Sequence, residues 1–241
     1  MRKALKRPRK HLRSERQNCA MKVRLSQKRQ RALFVSALRY SVKEKEPPMD
    51  KKDVIEFFDR WASRWDDDMV RDEEIIKTIL DNWGIKEGMD VLDVACGTGV
   101  LIPDYFLRGA ASVTGIDISP KMAEIARTKF PEALIITGDV EDYPFAGQFD
   151  AVMVYNSFPH FPDPGLLIER LAALTRPGGR LSVAHDMSRE KLVGHHSGSA
   201  SRVSVELIDE RSMAELFGKY FDVDVMISDE RMYQVCGTRR P

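Results

Sequence analysis

The 241-residue chain is 43% hydrophobic, which excludes a disordered polymer and leaves room for one α/β domain with a sizeable core. No apolar run reaches the ~18 residues that span a bilayer and no signal-peptide core is present, so the expectation is a soluble, cytoplasmic protein. The net charge of +1 hides a split: residues 1–48 hold 16 Lys+Arg against 3 Glu (+13), and the remainder holds 22 against 34 acids (−12), an acidic body that speaks against a large nucleic-acid surface.

In chain order, residues 1–48 end in Pro47-Pro48 and read as a disordered basic extension, with 49–241 as the folded domain. Within the extension, Leu33, Ala37 and Tyr40 have the spacing of one face of a short helix over 32–40. Val54, Phe57, Phe58, Trp61 and Trp65 recur at helical spacing and predict a helix over Asp53–Trp65. After Asp66-Asp67-Asp68 a second helix turns Ile75, Ile76, Ile79, Leu80 and Trp83 inward and ends at Gly84, a C-terminal cap.

An alternation then begins: strand 90–95, helix 99–108, strand 112–116, helix 119–129 with Pro120 at its start, and strand 133–137. Phe149–Tyr155 is almost wholly apolar, as a central parallel strand should be. Asp163–Thr175 predicts a helix with Leu167, Leu171 and Leu174 in one stripe, broken by Arg176-Pro177-Gly178-Gly179 before a fifth strand over Arg180–Ala184. Met187–Val205 reads as a long loop with a short helix, and Asp209–Gly218 as a helix capped by Asp209. Phe221–Ile227 and Met232–Gly237 close the chain as a hairpin. The β-α-β rhythm predicts an α/β fold with a doubly wound parallel sheet and right-handed crossovers. Cys19, Cys96 and Cys236 are odd in number and lack a C-x-x-C pair, so neither a disulfide framework nor a zinc site is indicated, and a reducing compartment is the simple reading.

The chemistry concentrates at Asp90–Leu101, where an apolar strand meets Gly97-Thr98-Gly99 and a helix start. The third glycine of G-x-G-x-x-G is replaced by Ile102, and no G-x-x-x-x-G-K-[ST] is present. A carboxylate, Asp93, beside a two-glycine turn suits a ligand that brings a cation more than one that brings a pyrophosphate. Asp117 ends the second strand, where an acidic side chain accepts from two ribose hydroxyls.

Asp93-Val94-Ala95-Cys96-Gly97-Thr98-Gly99 resembles motif I of the class I S-adenosylmethionine-dependent methyltransferases, and the likeness runs roughly from Asp53 to Gly237. It implies a Rossmann-like, seven-stranded, mostly parallel sheet with an antiparallel edge hairpin, N-terminal cap helices, and S-adenosyl-L-methionine as cofactor. It further implies cofactor contacts from Asp93, Ala95, Cys96, Gly97 and Gly99, from Asp117 and Ile118, from Asp139 and Val140 at the adenine, and from Asn156 at the methionine part. The phrase Phe57-Phe58-Asp59-Arg60-Trp61-Ala62-Ser63-Arg64-Trp65-Asp66 resembles the family's cap helix, in which an aromatic closes over the cofactor; Trp65 is the first choice and Trp61 the second.

The acceptor end is less specific. His160 and His185 are candidate bases, since histidine titrates near neutral pH. Asp186, His195 and His196 are candidate acceptor contacts; with a further histidine they could also offer metal ligands, although adjacent histidines seldom point at one ion and no metal site is predicted. No Asn-Pro-Pro-Tyr type tetrapeptide follows the fourth strand, a departure from methylases of nucleic-acid amines, so a small-molecule acceptor is expected. The rival readings are a nicotinamide-dependent oxidoreductase, which Ile102 and the lack of Tyr-x-x-x-Lys oppose, and a non-catalytic nucleotide-binding module kept for regulation. Oligomeric state is not written in the motifs.

Overall fold

A computed structural model describes residues 49–67, 69–195 and 202–241; the expected helix over 32–40 lies outside them. Seven strands are present: β1 (Asp90–Val94), β2 (Ser112–Asp117), β3 (Leu134–Thr137), β4 (Phe149–Tyr155), β5 (Thr175–His185), β6 (Phe221–Ser228) and β7 (Tyr233–Arg239). They form one sheet in the order β3-β2-β1-β4-β5-β7-β6. The first five pair in parallel, and β7 runs antiparallel to both β5 and β6. The Rossmann-like sheet with its antiparallel edge hairpin is therefore as expected.

The helices are α1 (Lys51–Trp61), α2 (Glu73–Trp83), α3 (Ile102–Leu107), α4 (Pro120–Lys129), α5 (Pro164–Leu174), α6 (Arg189–His195) and α7 (Glu210–Phe217). Side chains on a strand point alternately to opposite faces. Val91 and Met153 accordingly join Ile76, Ile79, Trp83, Ile102 and Ala123 of α2, α3 and α4 on one side. Leu92, Val94, Val152 and Val154 join Leu167, Leu171, Met213 and Phe217 of α5 and α7 on the other. Strands apolar on both faces are what a sheet covered by helices on both sides requires.

Three elements differ from expectation by three residues or more at a boundary. The first helix ends at Trp61 and tightens into a 3-10 turn over Ala62–Arg64. The helix after the glycine turn starts at Ile102, because the chain is still turning through Gly99 at φ 86°. The fifth strand starts at Thr175 directly after α5; Arg176–Gly179 forms an irregularity between the pairs Phe149–Thr175 and Ala151–Arg180, with Gly178 at φ 78°.

α1 contributes only Val54 to the buried set. It reaches the body instead through polar ties. Lys51 donates to Asp139 and Glu141. Ser119 Oγ donates to Asp59 at 2.6 Å, and Thr98 Oγ1 donates to Asp66 at 2.6 Å. Arg71, between α1 and α2, donates to the Val100 carbonyl and, at 2.9 Å, to Asp104.

Candidate functional site

Strand order reverses between β1 and β4, and in parallel α/β sheets a crevice opens at that point outside the carboxyl ends. Here it is a groove of about 480 Å³, roofed by α1 and the segment after it.

Its floor is the turn after β1. Ala95, Gly97 and Gly99 all have positive φ, at 51°, 55° and 86°. An L-residue such as Ala95 is strained there, and such strain persists only where the surroundings enforce it. A Cβ on Gly97 would meet nothing within 4 Å, so this glycine presents bare backbone to the groove. A Cβ on Gly99 would lie 2.7 Å from Phe130 and 2.8 Å from Ile102, so that glycine is needed for packing. Asp93 lies beneath the turn, 3% exposed, and does not line the groove. Burial pushes its carboxyl up to about 8; Tyr105 opposes that and the Asp117 charge adds to it.

Asp117 lines the groove beside Ile118. One carboxylate oxygen accepts from the Gly97 N–H at 2.8 Å and the other from the Ser119 N–H at 2.8 Å. Burial raises its pKa to about 6, while those two donors pull it down. Each oxygen keeps a second lone-pair direction, so a pinned Asp117 can still accept two hydroxyls.

At the end of β3, Asp139 and Val140 line the groove. Asp139 accepts from the Glu141 N–H at 3.0 Å and from Lys51, which also binds Glu141. A carboxylate oxygen has capacity beyond one donor, so the Lys51 tie and an exocyclic amine are compatible at Asp139. Lys51 is a groove residue that sequence reasoning missed, because its partners lie 88 and 90 positions away.

At the ends of β4 and β5, Asn156 sits at φ 52°, a conformation asparagine tolerates better than most residues. Asn156 Nδ2 donates to Asp186 Oδ1 at 2.9 Å, and the Asp186 N–H donates back to Asn156 Oδ1 at 3.1 Å. The Tyr155 hydroxyl donates to Asp186 Oδ2 at 2.8 Å, and burial with that carboxylate drives the phenol far above its ordinary pKa. Tyr155, Asn156 and Asp186 all line the groove.

His160 also lines it, its ring edge-on to Phe58 at 4.9 Å. Its Nδ1 lies 2.7 Å from the Val203 carbonyl oxygen, which can only accept, so Nδ1 carries the proton and Nε2 is the basic nitrogen. Trp65 packs edge-on against Phe58 at 5.5 Å, and Trp61 stands at the rim. Both tryptophans line the groove yet remain 38% and 42% exposed. Phe58 is the aromatic that sequence reasoning left in the helix core; the FFDRW spacing alone does not separate core from roof.

Among the described residues, His185 is not gathered with His160. His185 is fully buried beside the Tyr233 ring and does not line the groove. His195 ends α6, and His196 lies outside the described residues. Among the described residues no group of three or more His, Cys, Asp or Glu is placed to hold a metal ion.

The groove suits the S-adenosylmethionine that motif I implies. A bare glycine gives close backbone approach, Asp117 supplies paired acceptor positions, and Ile118, Met122 and Val140 supply apolar walls at the same end.

Comparison with known proteins agrees. A family model described as a methyltransferase domain matches residues 92–183. An uncharacterised methyltransferase of Schizosaccharomyces pombe is 31% identical over 186 residues, 65% of this chain and 64% of that protein. The ubiquinone biosynthesis O-methyltransferase of Xanthomonas axonopodis is 39% identical over 100 residues, 39% of this chain and 41% of that protein. The chain thus spans roughly two-fifths to under two-thirds of these relatives. The N-methyltransferase NodS of Bradyrhizobium japonicum, solved with S-adenosyl-L-homocysteine, superposes with a TM-score of 0.63 at 14% identity, over 78% of this chain and all of that one.

Proposed function

We propose that the chain is a class I S-adenosylmethionine-dependent methyltransferase, an enzyme that transfers a methyl group from S-adenosylmethionine to a small-molecule acceptor, a reading supported by the methyltransferase-domain match over residues 92–183 and by the methyltransferase relatives. The observation that carries the reading is Asp117: pinned by two backbone N–H groups at the carboxyl end of β2, it faces the groove beside bare Gly97.

The cofactor supplies a methyl carbon already activated by a cationic sulfur. The residues present would hold it with Asp117 at the ribose, Asp139 and Val140 at the adenine, and Ala95, Cys96, Gly97 and Asn156 toward the methionine part. Asp93 supports the turn from below, and Gly99 packs it against Phe130. Phe58 and Trp65 exclude water from the reacting end and narrow the acceptor's approach. Alignment of that kind is the main catalytic task in a direct displacement and is worth ~7–11 kcal/mol. His160 takes the proton of an acceptor that must release one in the step, its ring held by Val203. Asp186 contacts the acceptor, while His185 acts indirectly, from the core.

The activity belongs to residues 49–241 in this reading, with 1–48 as an appended extension. Among the described residues no helix is long and apolar enough to cross a membrane. Cys96 and Cys236 are free thiols, which fits a reducing, cytoplasmic setting.

Calorimetry on the purified chain tests the proposal. S-adenosylmethionine and its demethylated product should bind at one site, and Asp117→Ala should weaken both by ~1–3 kcal/mol, the scale of a charged hydrogen bond. Binding of NADH alone would replace the reading with the oxidoreductase; cofactor binding with no turnover on any acceptor would favour the regulatory module.

A further inference from the structure

The charges of the groove divide unevenly between its two ends. Among the described residues its Lys and Arg side chains are committed. Lys51 is held by Asp139 and Glu141. Arg71 is held by Asp104, Glu73 and the Val100 carbonyl. Arg64 stacks on Trp61 at 5.6 Å, at the rim. At the β4–β5 end, away from the ribose carboxylate, stands Asp186. Among the described residues its side-chain partners are Tyr155 and Asn156, both neutral, one on each oxygen. Each oxygen retains an accepting direction, and the carboxylate lines the groove together with the rings of Phe58, Trp65 and Tyr155.

A carboxylate with neutral partners among aromatic faces is a receptor for an organic cation. It is a poor one for a phenolate, thiolate or carboxylate, because the like charge repels an anionic nucleophile.

We propose that the acceptor is an amine, bound through its ammonium to Asp186 and methylated on nitrogen. The proposal rests on the methyltransferase reading and specifies its nucleophile. The ammonium first loses one proton to His160, which passes it to water at the groove mouth. The nitrogen lone pair then forms the N–C bond as the C–S bond breaks, and the bonding pair stays on sulfur. Positive charge thereby passes from sulfur to nitrogen, toward Asp186. A fixed carboxylate on that side stabilises the charge as it develops, with no reorganisation at the moment of transfer. Asp186 is thus a specificity-determining residue.

The test uses three probes of similar shape, 2-phenylethylamine, 4-ethylphenol and 3-phenylpropionate, added to the full chain saturated with S-adenosylhomocysteine. The amine alone should raise the melting temperature, and added salt should weaken that effect. Asp186→Asn keeps the size of the side chain while removing the charge: its Oδ1 still accepts from Asn156, and its Nδ2 donates to the Tyr155 hydroxyl, which reverses that bond. It should leave S-adenosylhomocysteine affinity within about twofold and weaken the amine about ten- to a hundred-fold, the range of a charged hydrogen bond. A larger shift with the phenol or the acid overturns the proposal. So does the absence of an amine effect at millimolar concentration, or an amine effect that survives Asp186→Asn. Failure of S-adenosylhomocysteine itself to bind overturns the methyltransferase reading instead, and calorimetry on the unliganded chain detects that first.

Discussion

Replacing Gly97 and Gly99 by alanine, one at a time, separates two demands that lie two residues apart in one turn. Both positions have positive φ, so each alanine bears the left-handed penalty of about 1–2 kcal/mol. At Gly97 nothing more is added to folding, because a Cβ there meets no atom within 4 Å. At Gly99 the Cβ would sit 2.7–2.8 Å from the Phe130 ring and Ile102, an overpacking that adds about 1–3 kcal/mol. The expected losses are about 1–2 kcal/mol for Gly97→Ala and about 2–5 kcal/mol for Gly99→Ala. For a domain of this size the second is a fall in melting temperature of roughly 5–15 °C. Affinity should rank the other way. The Gly97 Cβ enters the groove and should weaken S-adenosylhomocysteine binding about tenfold or more, whereas the folded Gly99→Ala protein should bind within about threefold of the parent, since Gly99 does not line the groove. Thermal melts and calorimetry on the same preparations measure both. Equal destabilisation by the two changes, or a Gly99→Ala protein that is stable but fails to bind, would refute this division of labour.

Asp93 is held near 8 in the folded chain against an ordinary 3.8, so folding takes up a proton between those values, and stability present at low pH is lost as pH rises from about 4 through about 8. Asp117, near 6, adds to that loss over its lower part. Chemical denaturation of the unliganded chain from pH 5 to 8 should show a decline approaching about 1.4 kcal/mol per pH unit, and Asp93→Asn should flatten most of it. Lys51→Met removes the tie from α1 to Asp139 and Glu141; because Lys51 is partly exposed the loss should be no more than about 1 kcal/mol globally, while proteolysis of the roof near 51–65 speeds up. For His160→Gln, S-adenosylhomocysteine should bind as before, and the turnover number should fall with the acidic limb of its pH profile removed.

Much of the architecture was legible because its signals are local. β4 begins and ends where the apolar run Phe149–Tyr155 does, and Gly84 caps α2 with φ 78°. The motif I turn and Asp117 could be placed because strand ends and glycines mark a parallel sheet's ligand edge. What stayed hidden depends on contacts between distant segments. Nothing near Lys51, Asp66 or Arg71 announces that they bond to Asp139, Thr98 and the Val100 carbonyl, far along the chain. Asp93 and Asp117 look alike in sequence and share one face of the sheet, yet Asp93, level with Gly115, is covered within its strand, while Asp117, two residues further along, reaches the strand end and opens into the groove, a distinction set by register. The histidines misled for the same reason: closeness to strand ends groups them along the chain, but His185 turns into the core and His160 into the groove.

The two borders of the sheet bear on how copies of this chain behave when crowded. One is β3, four residues long. The other is β6, whose outward positions include Asp222, Asp224 and Ser228. A short border and an acid-studded one are poor templates for strand addition by a neighbour. The antiparallel hairpin therefore does more than finish the fold: it puts an acid-studded strand at a border, where strand addition by a second copy is disfavoured.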